Sequence, residues 1–299
     1  MSFEEKPLGE SDNEFIDVAS SDEVNPEQQL EEIRVAAEAI STEAFAGLDS
    51  LKTAIEKVPA LLSKVSGFIT NKFSKDVIAK GIYKPEVIGR ISRSSNYLAY
   101  SKMRVYKSVG QKCTTPHLVN VLNESLTSTV SVFLKTELPR AESIIANFAA
   151  NPTEMKSVRY QDIISKALDA NYKASVKSLA DCFDGKDTSS EEEFGKLYER
   201  NADFEHSVKE LSRINDEVYK LNMEDVLRLT DRLNGSFHII VKAIDNQEPG
   251  YDVSPNVVKT LADACYQIAA LLEFYSVYLF KLRECTVAVK DTVDALKGV

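Results

Sequence analysis

The side chains best suited to moving protons near neutral pH are scarce in this chain. His117, His206 and His238 are its only histidines, and each stands alone in a stretch that reads as helix. His238 lies between Phe237 and Ile239, a setting that suits a surface or satisfied core residue better than a catalyst. The four cysteines, Cys113, Cys182, Cys265 and Cys285, form neither a CxxC pair nor a metal-ligand spacing. Cys265 and Cys285 fall in one predicted helix, too far apart along it to bridge, so free buried thiols are expected. Gly185-Lys186 lacks the upstream glycine and the following Ser or Thr of a phosphate loop. The same segment fails as a calcium loop, because Phe183 and Gly185 stand at ligand positions and Lys186 replaces the required glycine. GxGxxG, GxSxG and HExxH do not occur. Carboxylates cluster at Glu191–Glu193 and at Glu224-Asp225, both read as helix starts, where negative charge complements the dipole. The expectation is a non-enzymatic protein with no catalytic residue, cofactor, metal or small-molecule ligand.

One stretch suggests binding instead. Arg90, Arg93, Lys102, Arg104, Lys107 and Lys112 alternate with Tyr97, Tyr100 and Tyr106, and a basic-aromatic mixture is one ingredient of single-strand nucleic-acid binding. Outside the N-terminal arm, however, the chain is nearly neutral, which favours a solvated loop and argues against a nucleic-acid groove.

The elements that would carry these residues are mostly helices. Eleven glycines and nine prolines in 299 residues favour long helices over a turn-rich β fold. Asn25-Pro26 reads as a cap followed by a first-turn proline, opening a helix over 27–57, with a second over 60–73. Residues 81–115 are punctuated by Gly and Pro, and a short extended or β element is expected there, over Met103–Val109. Helix resumes at Pro116, is interrupted at Leu138-Pro139, and stops at Asn151-Pro152. Another helix spans 161–182. Ser190 and Glu193 read as a capping box opening a helix toward Leu221, followed by a helix from Met223 to Ile244.

Ser254-Pro255 starts the last helix, which holds an unbroken 3–4 alternation: Val258, Leu261, Cys265, Ile268, Leu272, Tyr275, Leu279, Leu282, Thr286, Val289, Val293 and Leu296. Such a seam predicts lengthwise packing in a left-handed bundle or coiled coil. Residues 265–282 approach the length of a membrane span, but Gln267 and Glu273 interrupt them, so a core helix and no transmembrane segment is expected. The fold class is therefore mainly all-α, a multi-helix bundle ending in a long heptad helix. The polar run 184–193 divides a helical subdomain, 44–183, from a C-terminal one, 184–299.

Charge marks off the N-terminus. Residues 1–43 hold thirteen Asp and Glu against Lys6 and Arg34, a net of −11, so the remainder sums to +1 within a total of −10. The chain reads as a near-neutral body with an acidic arm, disordered and then helical, which can act as a solvated tail or cover a basic surface on a partner. The opening MSFEEKPLGE has neither the basic nor the apolar region of a secretory signal.

Two features resemble a known family. Residues 103–152, from MRVYKSVGQKCTTPHLVNVLNESL to FLKTELPRAESIIANFAANP, resemble a segment of internal head and other virion proteins of large tailed bacteriophages. There an extended Tyr- and Gly-containing stretch precedes a helix, a Leu-Pro break and an Asn-Pro stop. The proteases that mature such heads prefer a small or aliphatic residue shortly before Glu and a small residue after it. Ala36-Ala37-Glu38 before Ala39, and Ile40-Ser41-Thr42-Glu43 before Ala44, are similar. Cutting after Glu38 would release ten net negative charges, and after Glu43 eleven. The resemblance implies a virion structural protein inside the head, matured near its N-terminus, contacting copies of itself or other structural proteins and reading no nucleic-acid sequence. The alternative is a cytoplasmic helical adaptor or membrane-remodelling bundle, pairing with partner helices through Leu272, Leu279 and Leu282.

Overall fold

The computed structural model describes residues 26–43, 100–108, 110–151, 163–183, 191–221, 223–246 and 255–296, with isolated helical positions between 53 and 67. The expectations for 1–25, for 81–99 and for the Gly185-Lys186 segment lie outside the described residues, as do Ala44 and the side chains of Glu38, Glu43, Val258 and Cys265.

The fold is mainly α-helical, with one two-stranded sheet. Helix α1 (Pro26–Glu43) opens on its proline, whose missing N–H costs nothing in a first turn. Strand β1 (Arg104–Tyr106) supplies the small extended element. Gly110, at φ 67°, turns the chain out of it in a conformation that side chains with a Cβ disfavour. Helix α2 (Thr115–Ser125) begins with Pro116 in its first turn.

From α2 the chain stays helical as far as Ala150, through π turns at Leu126–Val130 and Phe133–Glu137, and then as α3 (Leu138–Ala150). The expected interruption at Leu138-Pro139 is absent. The wide turn before it closes with the Leu138 N–H on the Phe133 carbonyl, so Pro139 enters where the regular i→i−4 ladder is already broken. Asn151 ends α3 as expected, its N–H on the Asn147 carbonyl at 2.7 Å. Helix α4 (Lys166–Cys182) is capped by Ser165, whose Oγ accepts from the Leu168 N–H at 3.3 Å.

Of the capping box expected at Ser190 and Glu193, Ser190 lies outside the described residues and Glu193 is not in a helix's first turn. Glu191–Glu193 is instead strand β2, antiparallel to β1 with Arg104 opposite Glu193 and Tyr106 opposite Glu191. The single helix expected to run to Leu221 is split into α5 (Phe194–Leu197) and α6 (Asn201–Lys220). The break lets Phe194, Tyr198 and Phe204 collect into one buried cluster with ring centroids 4.8 to 5.5 Å apart, an arrangement a straight helix would pull apart. The cap of α6 is supplied by Asp203, whose Oδ2 accepts from the Arg200 N–H at 3.0 Å. Gly195 sits so close to Ser101 that an added Cβ would lie 3.0 Å from the Ser101 carbonyl oxygen, so its small size lets α5 close on the turn that precedes β1.

Helices α7 (Met223–Asp245) and α8 (Pro255–Leu296) follow. At 42 residues, α8 is ~63 Å long. It forms the axis of the molecule: α1, β1 and α2 pack on it, α4 meets it through Tyr172 and Phe274, and α6 meets it through Asn215 and Thr286. Helix α6 also packs on α2, and α7 on α3, so the hydrophobic core is continuous from Ile33 to Leu296 and crosses the polar run 184–193.

Candidate functional site

Every seam residue of α8 with a described side chain is buried, from Leu261 and Ile268 through Leu272, Tyr275, Leu279 and Leu282 to Val289, Val293 and Leu296. Between them the helix buries other faces too. Gln267 to Leu272 form six consecutive buried positions, and Phe274, Tyr278, Phe280 and Cys285 are also buried. A helix that buries more than one face along its middle belongs inside a core. Leu272, at 0% exposure, and Leu279, at 1%, are therefore spent within the monomer, and pairing them with a partner helix would require opening the fold.

The basic stretch meets acid from its own chain. β1 carries Arg104 and Lys107 at its edge, and β2 is three consecutive glutamates. Arg104 Nε lies 3.5 Å from Glu191, and Glu192 bonds Lys196 at 2.9 Å. Lys196 first, and Lys107 as a minor contributor, hold the Glu192 carboxyl below its usual range. Opposed strands of opposite charge stabilise each other by up to about 1 kcal/mol per pair. Tyr100 is half-buried against the core. The stretch, in its described part, is thus a structural strand.

A groove of about 310 Å³ lies between α4 and α8. Tyr172, Val176, Leu179 and Phe183 form one wall at a helical spacing of four, three and four residues, and Phe274 with Val277 forms the other. The Tyr172 and Phe274 rings meet edge to face at 5.7 Å. Lys281 closes one end with its ammonium 4.3 Å above the Phe183 ring, an attraction of cation for π face. Burial, then the nearby Glu273 charge, raises the Tyr172 phenol to about 12. That phenol keeps its proton and is no base near neutrality. The groove can cover an apolar surface; it brings together no nucleophile with a base.

Polar side chains elsewhere fasten elements. Glu142, 4% exposed, takes both arms of the Arg232 guanidinium at 2.9 and 3.1 Å, tying α3 to α7. Glu137, also 4% exposed, bonds Arg140 and accepts from the Ser165 N–H at 3.0 Å. At the first π turn, Thr129 and Ser175 hydroxyls meet at 2.8 Å, and Asn171 donates to the Ser128 carbonyl at 3.2 Å. The turn is thereby stitched to α4. The sequence signalled the groove only through the 172–176–179–183 stripe, and signalled these contacts not at all.

His117, His206 and His238 are all exposed. Among the described residues no group of three or more His, Cys, Asp or Glu is placed to hold a metal ion. None of their helices is long and apolar enough to cross a membrane. Cys113 is half-buried, Cys182 and Cys285 are buried, and all three are free thiols. Of the candidate cleavage residues, Glu38, Ala39 and Glu43 lie within α1, and Ala44 lies outside the described residues. Ala39 lines a recess with Lys57, Ala60 and Lys64, and Lys64 pairs with Glu32 at 2.8 Å.

Compared with known proteins, the chain matches no family model, no curated protein and no solved structure.

Proposed function

We propose that this chain is a non-enzymatic structural protein of a large tailed bacteriophage, internal to the head and matured by removal of its acidic N-terminal segment. One observation carries the reading: residues 1–43 hold a net −11 while the rest of the chain sums to +1, and both candidate bonds lie at that border. The bond after Glu38 lies inside α1, so a protease, which draws its substrate into an extended form, must first open that helix. Cleavage at either bond would take most of the negative charge away. Its product would be a near-neutral helical body, free of charge that repels packaged DNA. The groove between α4 and α8 suits contact with copies or neighbouring structural proteins.

The test is the intact mass and N-terminal peptide of the protein recovered from its native source. A chain starting at Ala39 or Ala44, found in particles together with DNA, supports the reading. Absence from purified particles during a productive infection sinks it, and a chain retaining residues 1–43 in mature particles removes the maturation step.

A further inference from the structure

We infer that Cys113 and Cys182 form a latent disulfide latch, which a small-molecule disulfide closes to fasten the entry of α2 to the exit of α4. The backbone already holds the two positions together. Gln111 and Phe183 form an antiparallel bridge, and the Lys112 N–H donates to the Cys182 carbonyl at 2.6 Å. Cys113 follows at once, and each of the two thiols is felt by the other. Gln111 steadies the turn from the other side, its Nε2 donating to the Cys113 carbonyl at 2.8 Å and to Thr115 Oγ1 at 3.2 Å. Two cysteines on a hydrogen-bonded pair of neighbouring segments need little backbone movement to bridge.

The two thiols differ in access, which sets the order of events. Cys113 is half-buried and Cys182 is 1% exposed, so an external disulfide RSSR reaches Cys113 first. The Cys113 thiolate attacks one sulfur of RSSR, forming Cys113–SR and expelling RS⁻. The Cys182 thiolate then attacks the Cys113 sulfur, closing the protein disulfide and expelling the second RS⁻. The two protons lost by the protein thiols end on two RSH, and RSSR is reduced as the cysteines are oxidised. Burial raises both thiols, so few thiolates are present near neutrality and closure is slow. That behaviour fits a latch set once on leaving a reducing compartment, and not a rapid sensor. Cys285 is the third thiol near this corner, buried deeper on α8.

The full-length chain would be equilibrated with oxidised and reduced glutathione over a range of ratios, quenched in acid, alkylated, and mapped by peptide mass. A parallel set would be run in guanidinium. We expect one intramolecular Cys113–Cys182 link in the folded chain, forming at ratios at least about tenfold more reducing than in the unfolded chain, where pairings scatter. The latched chain should melt several degrees above the reduced one. Cys113→Ala should abolish both the link and the gain. A stable Cys113–glutathione adduct, a link through Cys265 or Cys285, a pairing pattern equal to that in guanidinium, or a latched chain with an unshifted midpoint would each overturn the inference.

Discussion

Asn215 on α6 donates from Nδ2 to Oγ1 of Thr286 on α8 across 3.1 Å, joining positions 71 residues apart inside an otherwise apolar core. The same amide also donates to the Leu211 carbonyl at 2.9 Å, so both of its N–H groups are engaged. A buried polar pair of this kind adds modestly when made and costs more when halved. It also fixes how α6 slides along α8, because a shift of one residue separates the partners.

Thr286→Val keeps the side-chain shape and removes the acceptor, and should cost about 1 kcal/mol in urea unfolding. Asn215→Ala also opens a cavity and should cost roughly 2 to 3 kcal/mol. In the double variant the losses should fall short of additivity by about 0.5 to 1.5 kcal/mol. Strict additivity would mean that the bond contributes nothing.

Glu142 and Arg232 form a second long-range tie with a different penalty. The Glu142 carboxylate is buried while Arg232 is 57% exposed, so solvent weakens the pair but not the cost of stranding the carboxylate. Arg232→Ala should destabilise by about 1 to 3 kcal/mol. Arg228→Ala, which breaks an exposed pair with Asp225 on the same helix, should cost no more than about 0.5 kcal/mol. Equal effects would show that the burial of Glu142 is without energetic weight.

Pro139 offers a test of the π turn. A proline in a regular helix interior costs about 3 kcal/mol. Here the turn Phe133–Glu137 has already departed from the regular ladder, so Pro139→Ala should gain less than about 1 kcal/mol in the same unfolding assay. A gain near the full penalty would mean that the wide turn does not relieve the proline.

Stability should fail on the alkaline side. Burial lifts the Cys285 thiol from 9.0 to about 12 and the Tyr172 phenol from 10.0 to about 12. Tyr198, Tyr275 and Tyr278 are pushed up by burial as well. Each group keeps its proton in the folded chain where the unfolded chain has lost it. The folded state then binds more protons, and stability decreases as pH rises. The contribution is whole below pH 9.0, the ordinary thiol value, and is lost as pH approaches about 12. Urea midpoints measured under reducing conditions should be level below that window and fall steadily through it. Midpoints unchanged up to the top of the window would show that these groups titrate alike in both states.

Much of the fold was legible because it is local. The α8 seam, the starts at Pro26 and Pro255 and the stop at Asn151 are spacing and capping signals carried by neighbours in sequence. The misses were non-local. Glu191–Glu193 has no strand preference of its own; the basic strand more than eighty residues earlier makes it one. The stripe Leu118, Leu122, Leu126, Val130 and Phe133 reads as plain α-helix, and only α4, reaching in through Asn171 and Ser175, marks the widened turn. Heptad spacing in α8 shows that one face packs; it does not show that the intervening positions are buried too. The nearness of Cys113 and Cys182 depends on the turn at Gly110 and the bridge beyond it, which no spacing rule encodes.

The place of α8 at the centre of the core bears on how the chain is made. Synthesis runs from the N-terminus, so α1, β1, α2, α4 and α6 leave the ribosome before α8, on which they pack. Until α8 emerges, the faces they turn to it have nothing to close on, and local helix–helix pairs such as α2 with α4 can form only as partial assemblies. Completion of the core then waits on this 42-residue helix. A nascent chain stalled within it would present the largest apolar surface of its lifetime, and would be the form most in need of a chaperone.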